Sequence, residues 1–293
     1  MAFRLDPAEG IGPGLVRVLC EQLDEAARQL GGHGRIDHEV AVHEARKALK
    51  RARALLVLCE GAVPEKRRRR LVRECRDVGR ALASSRDATV RRATLEALAA
   101  DADAETAAAV HRVAVGLPDS DPTPLTSELA DRLAVASARA RKWRVDDRGW
   151  DTISGGMLTT YREGRRAMRA AVNGSAEDSA EAYHRWRRRA KYLWYHLQLV
   201  RDAWPPVLGA LTDEVDQLGE LLGLDHDLTL IEEGVSAGTT DDARLVSSAA
   251  RARSRELRSD AIAIGRRVHA EQPAAFVEHI GRLWHAWTLD APR

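Results

Sequence analysis

The sequence is short of aromatic and sulfur-containing residues and has no long apolar run. Its 293 residues include two Phe, four Tyr, three Met and three Cys. Scarce Phe and Tyr, against 31% charged residues and recurrent Ala, Leu and Arg, argue against sheets and for long helices. No stretch approaches the roughly 20 apolar residues that span a bilayer. The opening MAFRLDPAEG lacks the apolar core of a secretory signal, so a cytoplasmic protein without membrane association is expected. Cys20, Cys59 and Cys75 are odd in number and lack CxxC spacing, which indicates neither a disulfide framework nor a zinc knuckle. They are expected to be reduced, mostly buried small hydrophobes.

The signatures of common catalysts are also missing. There is no HExxH, no Walker glycine loop, no GxSxG and no pair of catalytic carboxylates. His33, His38 and His43 recur every five residues, and His226 with Asp227 could form a ligand pair, which makes a metal-dependent phosphohydrolase the enzyme alternative. The spacing disfavours it, because ligands sharing one helix face need i,i+3 or i,i+4 separation and His33 lies in a glycine loop. A non-enzymatic protein with no catalytic residue, metal or cofactor is expected.

What is present is segregated charge. The formal net charge is only +2, yet ten Lys or Arg stand against two Glu between Arg46 and Arg70. Five bases and no acid lie between Arg185 and Lys191, and eight acids with no Lys or Arg lie between Asp213 and Glu233. Such sorting suggests a polyanion-binding surface on a nearly neutral protein, the plainer alternative being solvated helix faces.

Pro and Gly clusters at residues 10–14, 31–34, 116–124, 153–156, 204–206 and 272–273 punctuate segments with helical apolar spacing. Helices are predicted over about 13–30, 37–60, 65–100 continuing to 115, 124–144, 150–172, 177–203, 206–235 and 240–271, with a short last one after Pro273. An internal repeat runs through them. HEARKALK from His43 matches HRWRRRAK from His184 at an offset of 141, and residues 78–79 and 86–90 match 218–219 and 226–230 at an offset of 140. The fold class expected is all-α, two bundles of about four helices related by a pseudo-twofold repeat, over 1–146 and 147–293.

On a helical wheel of about 100° per residue, Arg46, Lys47, Lys50, Arg51 and Arg53 fall within about 160° centred near His43. Ala45, Ala48, Leu49, Ala52, Leu55 and Leu56 lie opposite. In the second copy His184, Arg187, Arg188, Lys191, Tyr192 and Tyr195 share one face, with Trp186, Ala190, Leu193 and Leu197 opposite. A third stripe is Arg162, Arg165, Arg166 and Arg169 after Tyr161, interrupted by Gly164. Gly164 suggests close approach of another helix or of a ligand. Like charges at i,i+3 and i,i+4 repel, so an acidic helix such as 213–233 or a bound polyanion must compensate.

VHEARKALKRARALL (42–56), RALASSRDATV (80–90), TTYREGRRAM (159–168) and YHRWRRRAKYLWYHLQLV (183–200) resemble, in order and over nearly the whole chain, the CHAD (conserved histidine α-helical domain) family. The resemblance implies two helical bundles, a basic central surface, and binding of inorganic polyphosphate, often at polyphosphate granules. It places the namesake histidines on His43 and His184. Basic contacts fall on Arg46, Lys47, Lys50, Arg53, Arg86, Arg187, Arg188 and Lys191, and on Tyr161, Arg162, Arg165 and Arg166. Two departures stand out: Trp194 where the second copy usually carries Arg, and His226 at the position matching Arg86. They imply a weaker or more pH-dependent grip in the second half. The triphosphate-processing β-barrel that precedes some relatives has no counterpart here, and the bundle is expected to stand alone. Nucleic acid is expected as a weaker competitor, because the stripes hold almost no amides for reading bases. An adaptor meeting acidic proteins is a third alternative. His43 and His184 either bond phosphate, orient a neighbouring base, or are structural.

Overall fold

The computed structural model describes residues 3–32, 37–82, 84–116, 127–174, 176–235 and 240–290, with side chains at 84–89 and 176–179 outside the description. The chain is all-α: α1 (Ile11–Gly31), α2 (His38–Leu58), α3 (Glu65–Ala81), α4 (Ser84–Ala100), α5 (Ala104–Val115), α6 (Ser127–Ala140), α7 (Asp151–Asn173), α8 (Ala176–Val200), α9 (Pro205–Val235), α10 (Asp241–Val268) and α11 (Pro273–Leu289). Three- and four-residue apolar spacing forms these helices. In α1, Ile11, Leu15, Val18, Leu19, Leu23, Ala26 and Leu30 make one buried stripe. Starts are set by side-chain caps: Asp37 accepts from the Glu39 and Val40 amides, Asp103 from Thr106, and Thr240 from Ala243.

Two predicted elements change. The helix predicted over 65–100 is two helices, ending at Ala81 and restarting at Ser84, although no Pro or Gly marks the break. The short helix predicted after Pro273 is present and runs to 17 residues.

α2 packs on α1 and α3, α8 packs on α7 and α9, and α2 also meets α7 and α8. The main hydrophobic core draws on α1, α2, α3 and each helix from α6 to α11. A smaller cluster joins Leu95, Leu98, Ala109 and Val110 of α4 and α5 to Leu228, Ile231, Val246 and Leu257 of α9 and α10. The α4–α5 hairpin therefore rests on helices of the other sequence half. Close crossings use glycine: a Cβ on Gly156 would lie 2.3 Å from the Leu58 carbonyl oxygen, and one on Gly164 would lie 2.9 Å from His269 Cε1. Gly164 thus serves the approach of the end of α10, one of the two roles its presence suggested.

Cys20, Cys59 and Cys75 are unpaired and buried. No helix among the described residues is long and apolar enough to cross a membrane.

Candidate functional site

The basic residues of α2 divide into those that reach solvent and those that turn inward. Ala45, Ala48, Leu49, Ala52, Leu55 and Leu56 are buried, as the wheel requires, while His43 and Lys50 are exposed on the opposite side. Lys47 is half-exposed and pairs with Glu44 at 2.6 Å. The flanking residues find protein partners. Arg46 donates to the carbonyls of Leu82 (2.8 Å) and Gly79 (3.3 Å), closing the C-terminal end of α3. Arg51 lies over the Phe3 ring at 5.2 Å, and Arg53 donates to the Tyr192 hydroxyl at 3.4 Å. The effective cationic face of α2 is narrower than its wheel.

The α8 face is built against α9. Lys191 pairs with Asp216 at 3.0 Å and sits 4.8 Å from the centre of the Trp194 ring. Its methylenes lie across Gly219, where a Cβ would come within 2.9 Å of Lys191 Cε. The Arg187 guanidinium runs past Gly223 in the same way. Arg188 is exposed, with the Glu181 carboxylate 4.0 Å away. The His184 and His226 rings approach to 4.6 Å between α8 and α9. Burial lowers the pKa of His184, and Arg188 lowers it further. Burial, then Arg187 and His184, push His226 down to about 4. Both rings are neutral near pH 7.

The faces of α2 and α8 are neighbours. They meet through Arg53 and Tyr192, and through the buried His196, whose Nε2 donates to the Ala54 carbonyl at 2.9 Å. α8 is tied to α7 by Arg189 and Glu163 at 2.5 Å. On α7, Arg162, Arg166 and Arg169 are exposed and have no ion pair among the described residues. Arg165 donates instead to Gln272 at 2.6 Å.

Two tyrosines expected at the surface are not there. Tyr161 has no exposed surface: it stacks on Phe276 at 4.0 Å, and its hydroxyl donates to the Val268 carbonyl at 3.0 Å. Its conformational role is to hold α7 against the end of α10. Tyr195 is buried against Phe3 and Trp194. Neither can touch a ligand in this arrangement. The side chain of Arg86 and the whole of His33 lie outside the described residues, and among those described no three His, Cys, Asp or Glu group to hold a metal.

The acids of α9 were the expected internal counterweight, and they act mostly elsewhere. Asp216 pairs with Lys191, but Asp213 faces Arg201, Asp225 holds Arg258 and Glu232 holds Arg251. Gly219 and His196 belong to the site's construction and escaped the sequence reading, which covered Asp216 only as one acid of the 213–233 helix. Gly219 left a signal as half of the residue 78–79 and 218–219 match.

The family model for the CHAD domain matches residues 17–235. A crystal structure of the CHAD domain from the plant Ricinus communis is similar at 17% identity with a TM-score of 0.57, covering 93% of this chain and 96% of that one. No curated protein matches the chain.

Proposed function

The chain belongs to the CHAD domain family, and from that premise we propose that it binds inorganic polyphosphate, without catalysis, on the adjoining basic faces of α2 and α8. One observation carries the reading: two helices rich in Lys and Arg meet at Arg53–Tyr192 and Ala54–His196, which joins the helix that bears His43, Lys47 and Lys50 to the helix that bears Arg187, Arg188 and Lys191. The groups offered are guanidinium, ammonium and imidazole donors. Arg forks bridge phosphate oxygens and Lys follows as a mobile point charge. Arg162, Arg166 and Arg169 of α7, without an ion pair among the described residues, extend the supply of cations. In the cell we place the protein in the cytoplasm, associated with polyphosphate granules.

The test is a titration with long-chain polyphosphate, in parallel with single-stranded RNA and duplex DNA, at matched phosphate concentration and salt. Tighter binding of polyphosphate, weakening steeply as salt rises, is the expected result. Equal or tighter binding of either nucleic acid would replace this reading with that of a nucleic-acid backbone binder.

A further inference from the structure

α3 buries one narrow side. Of its 17 residues only Leu71, Cys75 and Val78 are buried, packing toward α2 and α6. On the opposite side Lys66, Arg70, Arg73, Arg76 and Arg80 follow one another at spacings of four, three, three and four residues, all exposed. That places at least one cation on every turn along about 21 Å of helix, with the exposed Arg67 and Arg69 beside the row in its first turn.

Several exposed arginines elsewhere have nearby carboxylates: Arg112 with Asp242, Arg244 with Asp241, Arg251 with Glu232, Arg282 with Glu278. On α3 the acids are engaged without neutralising the stripe. Glu65 holds Arg68 and Arg69, Glu74 holds Arg132 of α6, and Asp77 meets Arg76 at 3.5 Å. Lys66, Arg70, Arg73 and Arg80 are left with no ion pair among the described residues. The stripe is also joined to the surface already described. Arg46 of α2 donates to the carbonyls of Gly79 and Leu82, on either side of Arg80.

Resting on the polyphosphate reading above, we propose that the outer face of α3 is a second track for the same polyanion, entered from the α2 face past Arg46 and Arg80 and running toward Lys66. A narrow row of cations along one helix matches a linear chain with charge on every unit. A duplex, whose charge is spread over two strands, would need a broader face. The consequence is chain-length selectivity: short phosphates fill the α2–α8 surface alone, and only long chains reach the α3 track.

The experiment compares wild type with the triple variant Arg70→Gln, Arg73→Gln, Arg80→Gln, in which exposed residues are replaced by good helix formers. A control triple, Arg139→Gln, Lys142→Gln, Arg144→Gln, removes equal charge from exposed positions on and after α6. Each is titrated with tripolyphosphate and with long-chain polyphosphate over a range of salt. The expected result is long-chain binding weakened about tenfold in the α3 variant, with a salt slope smaller by about two, and tripolyphosphate binding changed by less than about twofold. The control should bind both probes like wild type. Unchanged long-chain affinity in the α3 variant overturns the track, and so does an equal loss for both probes or an equal loss in the control. If wild type itself fails to bind long-chain polyphosphate, the underlying functional reading falls instead.

Discussion

The imidazoles of His184 and His226 lie 4.6 Å apart, ring centre to ring centre, where α8 packs on α9. Their charged surroundings are Arg187, Arg188 and Glu181 from α8, each ring being also the other's neighbour. Just beyond, Arg258 of α10 stands over the Tyr183 ring and pairs with Asp225 of α9.

This pair sets the pH dependence expected for ligand binding. Burial and nearby cations hold both rings neutral in the empty protein. A polyphosphate laid over them favours the imidazolium, so binding takes up protons and affinity should rise as pH falls from about 7.5 to about 5.5. His226→Gln should flatten that dependence. Calorimetry in two buffers of different ionisation enthalpy would detect the uptake directly, and the absence of any uptake would refute it.

Folding stability should move the opposite way with pH. His196, His226 and His269 are each pushed down to about 4, chiefly by burial. Unfolded, these side chains titrate near about 6.5 and so bind protons that the folded chain refuses. Their contribution is complete above about 6.5 and is lost as pH falls toward 4. The ligand-free melting temperature should therefore drop between pH 7 and pH 5, over the range in which ligand affinity climbs.

Helix positions were legible in the sequence because apolar spacing and Pro or Gly breaks report on backbone and burial together. The break at residues 82–84 was not, since nothing in LASS forbids a continuous helix. The site was legible in outline only. A helical wheel gives the direction in which a side chain leaves its axis, but not what the next helix offers there. Arg51 and Arg53, on the shoulders of the α2 face, met Phe3 and Tyr192. Tyr161 sat beside a stripe of arginines in sequence and yet points into the core, where the Val268 carbonyl satisfies its hydroxyl.

Arg46 illustrates how a basic residue can serve the fold and the surface together. Arg46→Ala would leave the carbonyls of Gly79 and Leu82 without this charged donor, a loss of about 1.5–3 kcal/mol for a charged hydrogen bond in a half-buried place. Urea denaturation should register that cost. Lys50→Ala, at an exposed position, should weaken polyphosphate binding with stability changed by less than about 0.5 kcal/mol.

Asp216 holds Lys191, a cation of the candidate site, and competes with any incoming phosphate for it. The two side chains are about one-third exposed, which limits the pair to about 1 kcal/mol or less. Asp216→Asn should therefore raise polyphosphate affinity by up to about fivefold, the equivalent of that energy. A decrease would mean that Asp216 positions Lys191 for the ligand and does not compete with it.

The last expectation concerns the exposed cations that have no carboxylate within reach among the described residues: Lys66, Arg70, Arg73 and Arg80 on α3, and Arg162, Arg166 and Arg169 on α7. Several stand at three- or four-residue spacing, where each like-charge pair costs a helix about 0.2–0.5 kcal/mol. A polyanion that binds the folded surface removes this repulsion and adds its own binding energy. Stabilisation follows RT ln(1 + [L]/Kd), about 2.7 kcal/mol at a hundredfold excess over Kd, or a rise of a few degrees in melting temperature if unfolding is close to two-state. Added salt screens the same repulsion and should raise the melting temperature of the empty protein slightly. Because salt also weakens binding, it should shrink the shift that polyphosphate produces. The two trends must oppose each other in one set of melts at low and high salt. A melting temperature unmoved by saturating polyphosphate at low salt would mean that the ligand does not prefer the folded basic surface, whatever its affinity for the chain.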